Sequence, residues 1–333
     1  MKILISGYYG FKNTGDEAIL EALRQNVKDE LLILDARQRF NLKLIWDCDI
    51  LISGGGGLLQ DKTSTRSFLY YISVIKLAKL LGKKVYVFAQ GIGPIAKPYN
   101  LFLLKRILNQ VDLITVRDIN SFNLIKSWKL NNPRIVETAD PTFLLKAPPC
   151  EKLLELEGIL EDKPKIGVCL RKSKATKRLA WACDQLARKL NAQIIFIPFQ
   201  PPQDLLASRE VMGRMQEKSF LIFRELKPLE VLGIISCLDL LIGMRLHSLM
   251  FAVSNLVPAV GLSYDPKVEA FMEEAGLPCL NMEQLDADQL VSAVMQLWDN
   301  REGVVNSLKH AKRKLYSKAQ LNFGMINMLK GGK

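Results

Sequence analysis

Leu238-Asp239-Leu240-Leu241-Ile242-Gly243-Met244-Arg245-Leu246-His247-Ser248 reads as a junction of strand, loop and helix. The apolar run Leu240, Leu241 and Ile242 has the continuous hydrophobicity of a strand buried on both faces. Gly243 releases the backbone, and from Ser248 through Val253 the apolar residues resume at helical periodicity. Such a junction aims unpaired amides and the positive end of a helix dipole at whatever lies beyond the strand, which favours an anion. Arg245 adds a planar fork for phosphate or carboxylate. His247, one of only 2 histidines, adds a group that exchanges a proton near neutrality, a cap or satisfied polar residue being the alternative.

Outward from this stretch the same theme repeats. Strands are expected at 2–6, 31–34, 49–53, 84–89, 112–116 and 134–137, with helices between them at 16–27, 67–81, 99–110 and 120–128. A second series has strands at 165–170, 193–198, 220–223, 239–242 and 257–262, separated by helices at 176–190, 204–215, 228–236, 248–253 and 267–275. Alternation of this kind calls for a parallel sheet covered on both faces. The expected fold is therefore α/β, with two Rossmann-like domains facing across a cleft, as in the glycosyltransferase-B architecture. The boundaries follow composition: 1–148 as the first domain, 149–164 as a linker around Ala147-Pro148-Pro149-Cys150, 165–304 as the second domain, and 305–333 as a basic helical tail. Ligands of such sheets bind beyond the carboxyl ends of the strands, so chemistry is sought in the loops there.

A chain of 333 residues, 49% hydrophobic and 24% charged, can bury a core in each of two domains. The opening run 1–7 is too short for a signal peptide and reads as a first strand, and no run is long enough to span a bilayer, so a cytoplasmic protein is expected. The 6 cysteines form no Cys-x-x-Cys pair and read as reduced, mostly buried residues. No metal-ligand constellation is visible. A formal net charge of +12 implies anionic partners. In the tail, Leu308, Ala311, Leu315 and Ala319 share one helical face among lysines and arginines, as in a helix resting on a domain or on an anionic membrane.

The first loop runs from Gly7 through Asn13-Thr14-Gly15-Asp16-Glu17. Gly10 and Gly15 have the spacing of a phosphate-binding loop, but Asp16-Glu17 stands where Lys-Ser or Lys-Thr is required. Carboxylates there suit the helix dipole and the hydroxyls of a neutral polyol. The second loop, Gly54-Gly55-Gly56-Gly57-Leu58-Leu59-Gln60-Asp61, permits close approach to a ligand, and it too lacks the lysine of a phosphate site. Further strand exits are Gln90-Gly91-Ile92-Gly93-Pro94 and Arg117-Asp118, for which pairing or helix capping is the alternative. In the second half, Arg171, Arg245 and Lys267 leave separate strands and could converge on a small dianion or trianion. Nucleic acid calls for a broad basic stripe or interleaved aromatics instead, and is not expected.

Asn13 to Asp16, Gly54 to Asp61, Gln90 to Pro94, Arg117-Asp118 with Ser121, Asp140-Pro141, Arg171, Met244 to His247 and Tyr264-Asp265-Pro266-Lys267 together resemble, in order, the polysaccharide pyruvyl transferases, and most of all their bacterial cell-surface-anchoring branch. The resemblance implies transfer of pyruvate from phosphoenolpyruvate onto a sugar as a cyclic ketal, typically across the 4- and 6-hydroxyls of N-acetylmannosamine in a cell-wall glycan or its lipid-linked precursor. It implies no cofactor beyond the co-substrate. Contact of the basic tail with the inner membrane face would fit a lipid-linked acceptor. On this reading His247 is the acid, toward the enol methylene or the departing phosphate, and Asp16 is the base, with Asp61 as the alternative. Arg171, Arg245, Lys267, Gly243 and Ser248 hold the donor, and Asn13, Gly15, Gly55, Gly56, Gln60, Asp61, Gln90 and Arg117 hold the acceptor. The rival enzyme is a sugar-nucleotide glycosyltransferase of the same two-domain fold; a basic module binding nucleic acid or membrane is the rival from another class.

Overall fold

The structure, a computed structural model, describes residues 1–39, 41–62, 64–159 and 162–331. It divides into two compact units, Met1–Leu144 together with the chain from Leu315 onward, and Leu145–Lys314.

Unit 1 runs β1 (Lys2–Ser6), α1 (Thr14–Asn26), β2 (Glu30–Leu34), α2 (Leu42–Asp47), β3 (Ile50–Ser53), α3 (Thr65–Leu80), β4 (Lys84–Gln90), α4 (Pro98–Leu108), β5 (Leu113–Val116), α5 (Ile119–Ser127) and β6 (Arg134–Glu137). Its strands form one sheet in the order β2-β1-β3-β4-β5-β6, parallel throughout. Alternation along the strands sorts the core into two layers. Leu4, Leu51, Val85, Val87 and Ile114 pack with Ile45 of α2, Phe68 and Ile72 of α3, Leu104 of α4 and Ile125 of α5. Ile3, Ile5, Ile50, Ile52, Tyr86 and Phe88 pack on the other face with Ile19 and Leu23 of α1.

Unit 2 begins with α6 (Glu151–Leu156) and continues through β7 (Lys165–Cys169), α7 (Thr176–Leu190), β8 (Gln193–Phe196), α8 (Gln203–Met212), β9 (Ser219–Leu221), α9 (Pro228–Ser236), β10 (Leu240–Gly243), α10 (Leu246–Ser254), β11 (Ala259–Ser263), α11 (Pro266–Ala275), β12 (Cys279–Asn281) and α12 (Ala287–Asp299). Its sheet order is β12-β11-β10-β7-β8-β9, again all parallel. The last helix, α13 (Arg301–Gly331), starts in unit 2 and ends in unit 1.

Every strand expected from the sequence is present. Of the elements not foreseen, α2 has 6 residues and β12 has 3, too few for a period to show, whereas the 13-residue α12 lies past the last helix expected from the sequence. The expected linker 149–164 carries α6 and belongs to unit 2, although residues 160 and 161 of it lie outside the described residues. The tail is not a separate segment. Leu308, Leu315, Ala319 and Ile326 of α13 are buried, and Ile326 joins the core beneath α1. Asn322 anchors it further: its side chain accepts from the Thr138 hydroxyl at 2.9 Å and donates to the Ala139 carbonyl at 2.9 Å. Between the two surfaces open to this helix, a domain and a bilayer, its apolar face rests on protein. The cysteines also differ from expectation: Cys150, which precedes α6, is joined to Cys237, which ends α9. They stand 87 residues apart, and the packing of α6 on α9 that brings them together has no signature in their spacing.

Candidate functional site

Unit 1 gathers its glycine-rich loops at the carboxyl ends of β1, β3 and β4. Asn13 caps α1, its side-chain oxygen accepting from the amides of Gly15 at 3.1 Å and Asp16 at 3.5 Å. That fixes Asp16 in the first turn, with a carboxylate oxygen 2.7 Å from where a Cβ on Gly56 would stand. Gly56 has φ +93° as well, so a side chain there would meet both strain and Asp16. Gly55 lies against Ile19 of α1, its Cβ position 3.1 Å from the isoleucine Cγ2.

Under these loops lies Tyr9, 1% exposed, its hydroxyl making no hydrogen bond. A Cβ on Gly7 or Gly54 would fall 2.3 or 2.2 Å from its ring or hydroxyl, so both glycines are set by this tyrosine. Burial, and after it the negative charge of Asp16, pushes the Tyr9 phenol well above its ordinary range. The main influence on Glu17 is burial too, which holds it above the usual carboxylate range although it accepts from the Gly10 amide at 2.6 Å.

Several residues read from sequence as acceptor contacts are engaged within the protein. Ala89 sits at φ +44° where the β4–β5 register shifts. This bulge carries buried Gln90 toward the glycine loop, where its side chain donates to the Gly54 carbonyl and accepts from the Leu58 amide at 3.3 Å. Asp61 accepts from Ala96 N at 2.6 Å, Lys97 N at 3.1 Å and Asn100 Nδ2 at 2.6 Å. Desolvation is the largest single influence on Asp61 and raises it, but these bonds and the Lys97 charge together hold it below the ordinary carboxylate range. Arg117 donates to Asp140 at 2.8 Å in an almost wholly buried pair, and Asp140 also accepts from Thr142. Gln90, Asp61 and Arg117 thus brace the loops that Asn13, Gly15, Gly55 and Gly56 shape, while Gln60 stays half-buried at the loop's end.

The strand ends of unit 2 are built differently. A cavity of about 1000 Å³ opens beyond β7, β8, β10 and β11, and its wall includes Arg171, Lys172, Lys174, Arg178, Arg245 and Tyr264. Two carboxylates share this wall, Glu283 and Asp204. Asp204 is fully engaged: it accepts from the Phe199 amide at 3.1 Å, the Gln200 amide at 2.9 Å, and the Arg245 guanidinium at 3.0 and 2.5 Å. Arg245 is therefore held in a two-pronged ion pair, contrary to the open fork expected of it. Arg171 lies 4.5 Å over the exposed Tyr264 ring, and Arg178 donates to the Leu285 carbonyl at 3.0 Å. Lys172 and Lys174 extend the same basic rim.

Gly243 ends β10 with an ordinary backbone, and its lack of a side chain serves packing: a Cβ would meet Leu249 and Ser248 of α10 at 2.8 Å. The Ser248 hydroxyl donates to the Arg245 carbonyl at 2.7 Å and is fully buried. Neither of these two residues offers a side-chain group to a ligand. His247 is in the first turn of α10 and Lys267 in the first turn of α11, each helix following one of the adjacent strands β10 and β11. Neither lines the cavity. Asp204, at the start of the helix expected over 204–215, was not among the residues that the sequence singled out; its partner Arg245 is 41 positions away. Among the described residues no group of His, Cys, Asp or Glu is arranged to hold a metal ion.

The sequence model of a family described as polysaccharide pyruvyl transferase matches residues 13–266. The amylovoran biosynthesis protein AmsJ of Erwinia amylovora is 20% identical over 307 residues, 84% of this chain and 72% of that protein. Among solved structures, a UDP-GlcNAc 2-epimerase from Neisseria meningitidis bound to UDP-GlcNAc aligns with a TM-score of 0.66 at 11% identity, covering 99% of this chain and 100% of the other. MnaA of S. aureus with UDP gives 0.67 at 12% identity, covering 99% and 96%. HepE of Anabaena with UDP-glucose gives 0.64 at 12%, covering 99% of each. At such identities these likenesses concern the fold: two parallel-sheet α/β domains of the glycosyltransferase-B kind.

Proposed function

Because the chain belongs to the polysaccharide pyruvyl transferase family, we propose that it moves the pyruvyl group of phosphoenolpyruvate onto a sugar diol as a cyclic ketal, releasing phosphate. The acceptor we propose is the 4,6-diol of an N-acetylmannosamine residue in a cell-wall glycan or its lipid-linked precursor. The observation that carries the donor is the unit 2 cavity, whose wall holds five cationic side chains against two carboxylates, one of them already tied to Arg245. Phosphoenolpyruvate brings a carboxylate and a phosphate, which Arg171 and Arg178 match in charge and shape. The acidic loops of unit 1 offer acceptors to sugar hydroxyls instead.

The chemistry balances as follows. The enol methylene takes up a proton, one sugar hydroxyl bonds to the resulting cationic carbon, and Asp16 takes that hydroxyl's proton; His247, outside the cavity wall but two residues from Arg245 on it, is the acid we assign to the methylene or to the departing phosphate. The second hydroxyl then displaces phosphate from the same carbon, its proton leaving with the phosphate, and the proton on Asp16 passes to solvent as the acid regains its own. The sugar gains one pyruvate less one water, and no oxidant or reductant enters. Arg171→Ala or Arg178→Ala removes a charge-assisted contact worth about 1.5–3 kcal/mol. Each should weaken phosphoenolpyruvate binding in calorimetric titration by roughly ten- to a hundredfold, and unchanged binding in both would remove the donor from this cavity.

A second reading has one observation in its favour. At about 1000 Å³ the cavity has room for a ligand larger than phosphoenolpyruvate, as a sugar nucleotide would be. Titration with a uridine diphosphate sugar decides it: saturable heat with the nucleotide sugar and none with phosphoenolpyruvate would favour that reading.

A further inference from the structure

We infer that the outer face of helices α2, α3 and α4 docks on an anionic lipid bilayer. Between Asp61 and Asp112 the chain has nine lysines and arginines and no acidic residue. Those residues include all of α3 and α4. The exposed positions of α3 are Arg66, Leu69, Ser73, Lys76 and Leu80, spaced three and four apart, so they form one line along the helix. On α4, Tyr99, Phe102 and Arg106 form a second line, and on α2, Leu42 and Trp46 a third. α3 touches both α2 and α4, so the three lines lie side by side.

Single exposed apolar residues are ordinary, but large ones sharing one basic face are not. Trp46 and Phe102 are each 67% exposed and Leu80 is 73% exposed. The acids next along the chain from these helices are Asp47 at the end of α2, Asp49, which accepts from the Lys2 amide at 2.8 Å, and Asp112, which is paired with Lys79 at 2.8 Å. Aromatic and leucine side chains among lysines and arginines match a surface that presents anionic headgroups above an apolar interior. A second copy of the chain fits poorly, because a two-fold contact would set this cationic face against itself. The terminal helix, whose composition suggests the same role, has its apolar residues Leu308, Leu315, Ala319 and Ile326 buried in protein.

Docking here has a consequence for reach. α3 and α4 follow the loops of Gly54–Gly57 and Gly91–Gly93, so Arg66, Leu69, Tyr99 and Phe102 lie at the end of the face nearest those loops. A sugar tethered to the bilayer would be presented to unit 1. The docking surface itself does not depend on the pyruvyl reading.

The test is flotation of the full chain with vesicles of phosphatidylcholine alone or mixed with phosphatidylglycerol. Binding should require phosphatidylglycerol and weaken with salt. Arg66→Gln/Lys76→Gln/Arg106→Gln should lower the vesicle partition coefficient about a hundredfold, at about fivefold per cation removed. Trp46→Ser/Phe102→Ser should abolish flotation at moderate salt. Both variants should keep wild-type melting curves and wild-type turnover on a water-soluble acceptor, which separates failure of docking from failure of catalysis. Absence of binding by the wild type would overturn the proposal. So would flotation that survives both variants but is lost in Lys309→Glu/Arg313→Glu on α13, or sedimentation showing that the face variants abolish a dimer that never binds vesicles.

Discussion

The strand ends of unit 1 and unit 2 occupy equivalent places in two parallel sheets, yet they differ in how they are filled and in the charge they carry. In unit 1, Tyr9 fills the space under the loops, glycines admit it, and the charges acting on it come from Asp16, Glu17 and Asp140. In unit 2 the same end of the sheet is open and rimmed by Arg171, Lys172, Lys174 and Arg178. Sheet topology sets the loops at the same end of both sheets, and the loop residues set the charge found there. A neutral polyol on one unit and a small polyanion on the other is the pairing that a transfer from phosphoenolpyruvate to a sugar requires.

The largest expected effect divides the chemistry between the units. His247→Ala should reduce turnover by about 10² to 10⁴ with little change in phosphoenolpyruvate binding, and Asp16→Asn should do the same without changing the donor's affinity. Residual turnover within about threefold of wild type, on the scale of a positioned acid or base, would take that residue out of the mechanism.

Next come the two ion pairs, one per unit. Asp140→Ala leaves Arg117 almost wholly buried without its carboxylate and should cost about 3–5 kcal/mol in urea unfolding. Asp204→Ala should cost less, because Arg245 is 14% exposed and can turn toward water. The reverse order would mean that the unit 2 pair, and not the unit 1 pair, is the tighter brace.

A smaller effect probes the tyrosine that fills unit 1. Gly54→Ala sets a methyl against the Tyr9 hydroxyl and should cost about 1–3 kcal/mol through overpacking. Tyr9→Phe removes a buried hydroxyl that has no partner, so it should be near neutral alone and should recover part of the Gly54→Ala loss. Strict additivity in the double variant would contradict the contact.

The smallest effect is a pH dependence confined to unit 1. The folded state holds Asp61 below its ordinary value of 3.8, so its stabilising contribution is complete above that value and fades as pH falls through the lower, folded one. The stability gap between wild type and Asp61→Asn should therefore close in acid, and a gap independent of pH would show that the charge of Asp61 contributes nothing.

Both sheets were legible because each strand is a short apolar run with a glycine or polar exit, a signal carried within a few residues. The loops that bear on chemistry were legible for the same reason, including the one from Gly243 to Ser248. The partners of the loop side chains were not. Arg245 looked like an open anion fork because nothing local marks Asp204 as its carboxylate, and Gln90 looked like a sugar contact because the bulge at Ala89 that turns it inward has no sequence signature. Arg117 and Asp140 were each visible as strand-exit residues, but only the alignment of β5 with β6 brings them together. The apolar stripe of α13 was read correctly as one face, and what it rests on became clear only from the burial of Leu315 and Ile326 in unit 1.

The most direct test of the account is phosphate release from phosphoenolpyruvate, measured with and without an N-acetylmannosamine-containing acceptor and followed by mass analysis of the sugar. Release should depend on the acceptor, with the sugar gaining one pyruvate less one water. Phosphate release independent of any acceptor, or none with any acceptor while a nucleotide sugar is consumed, would contradict it.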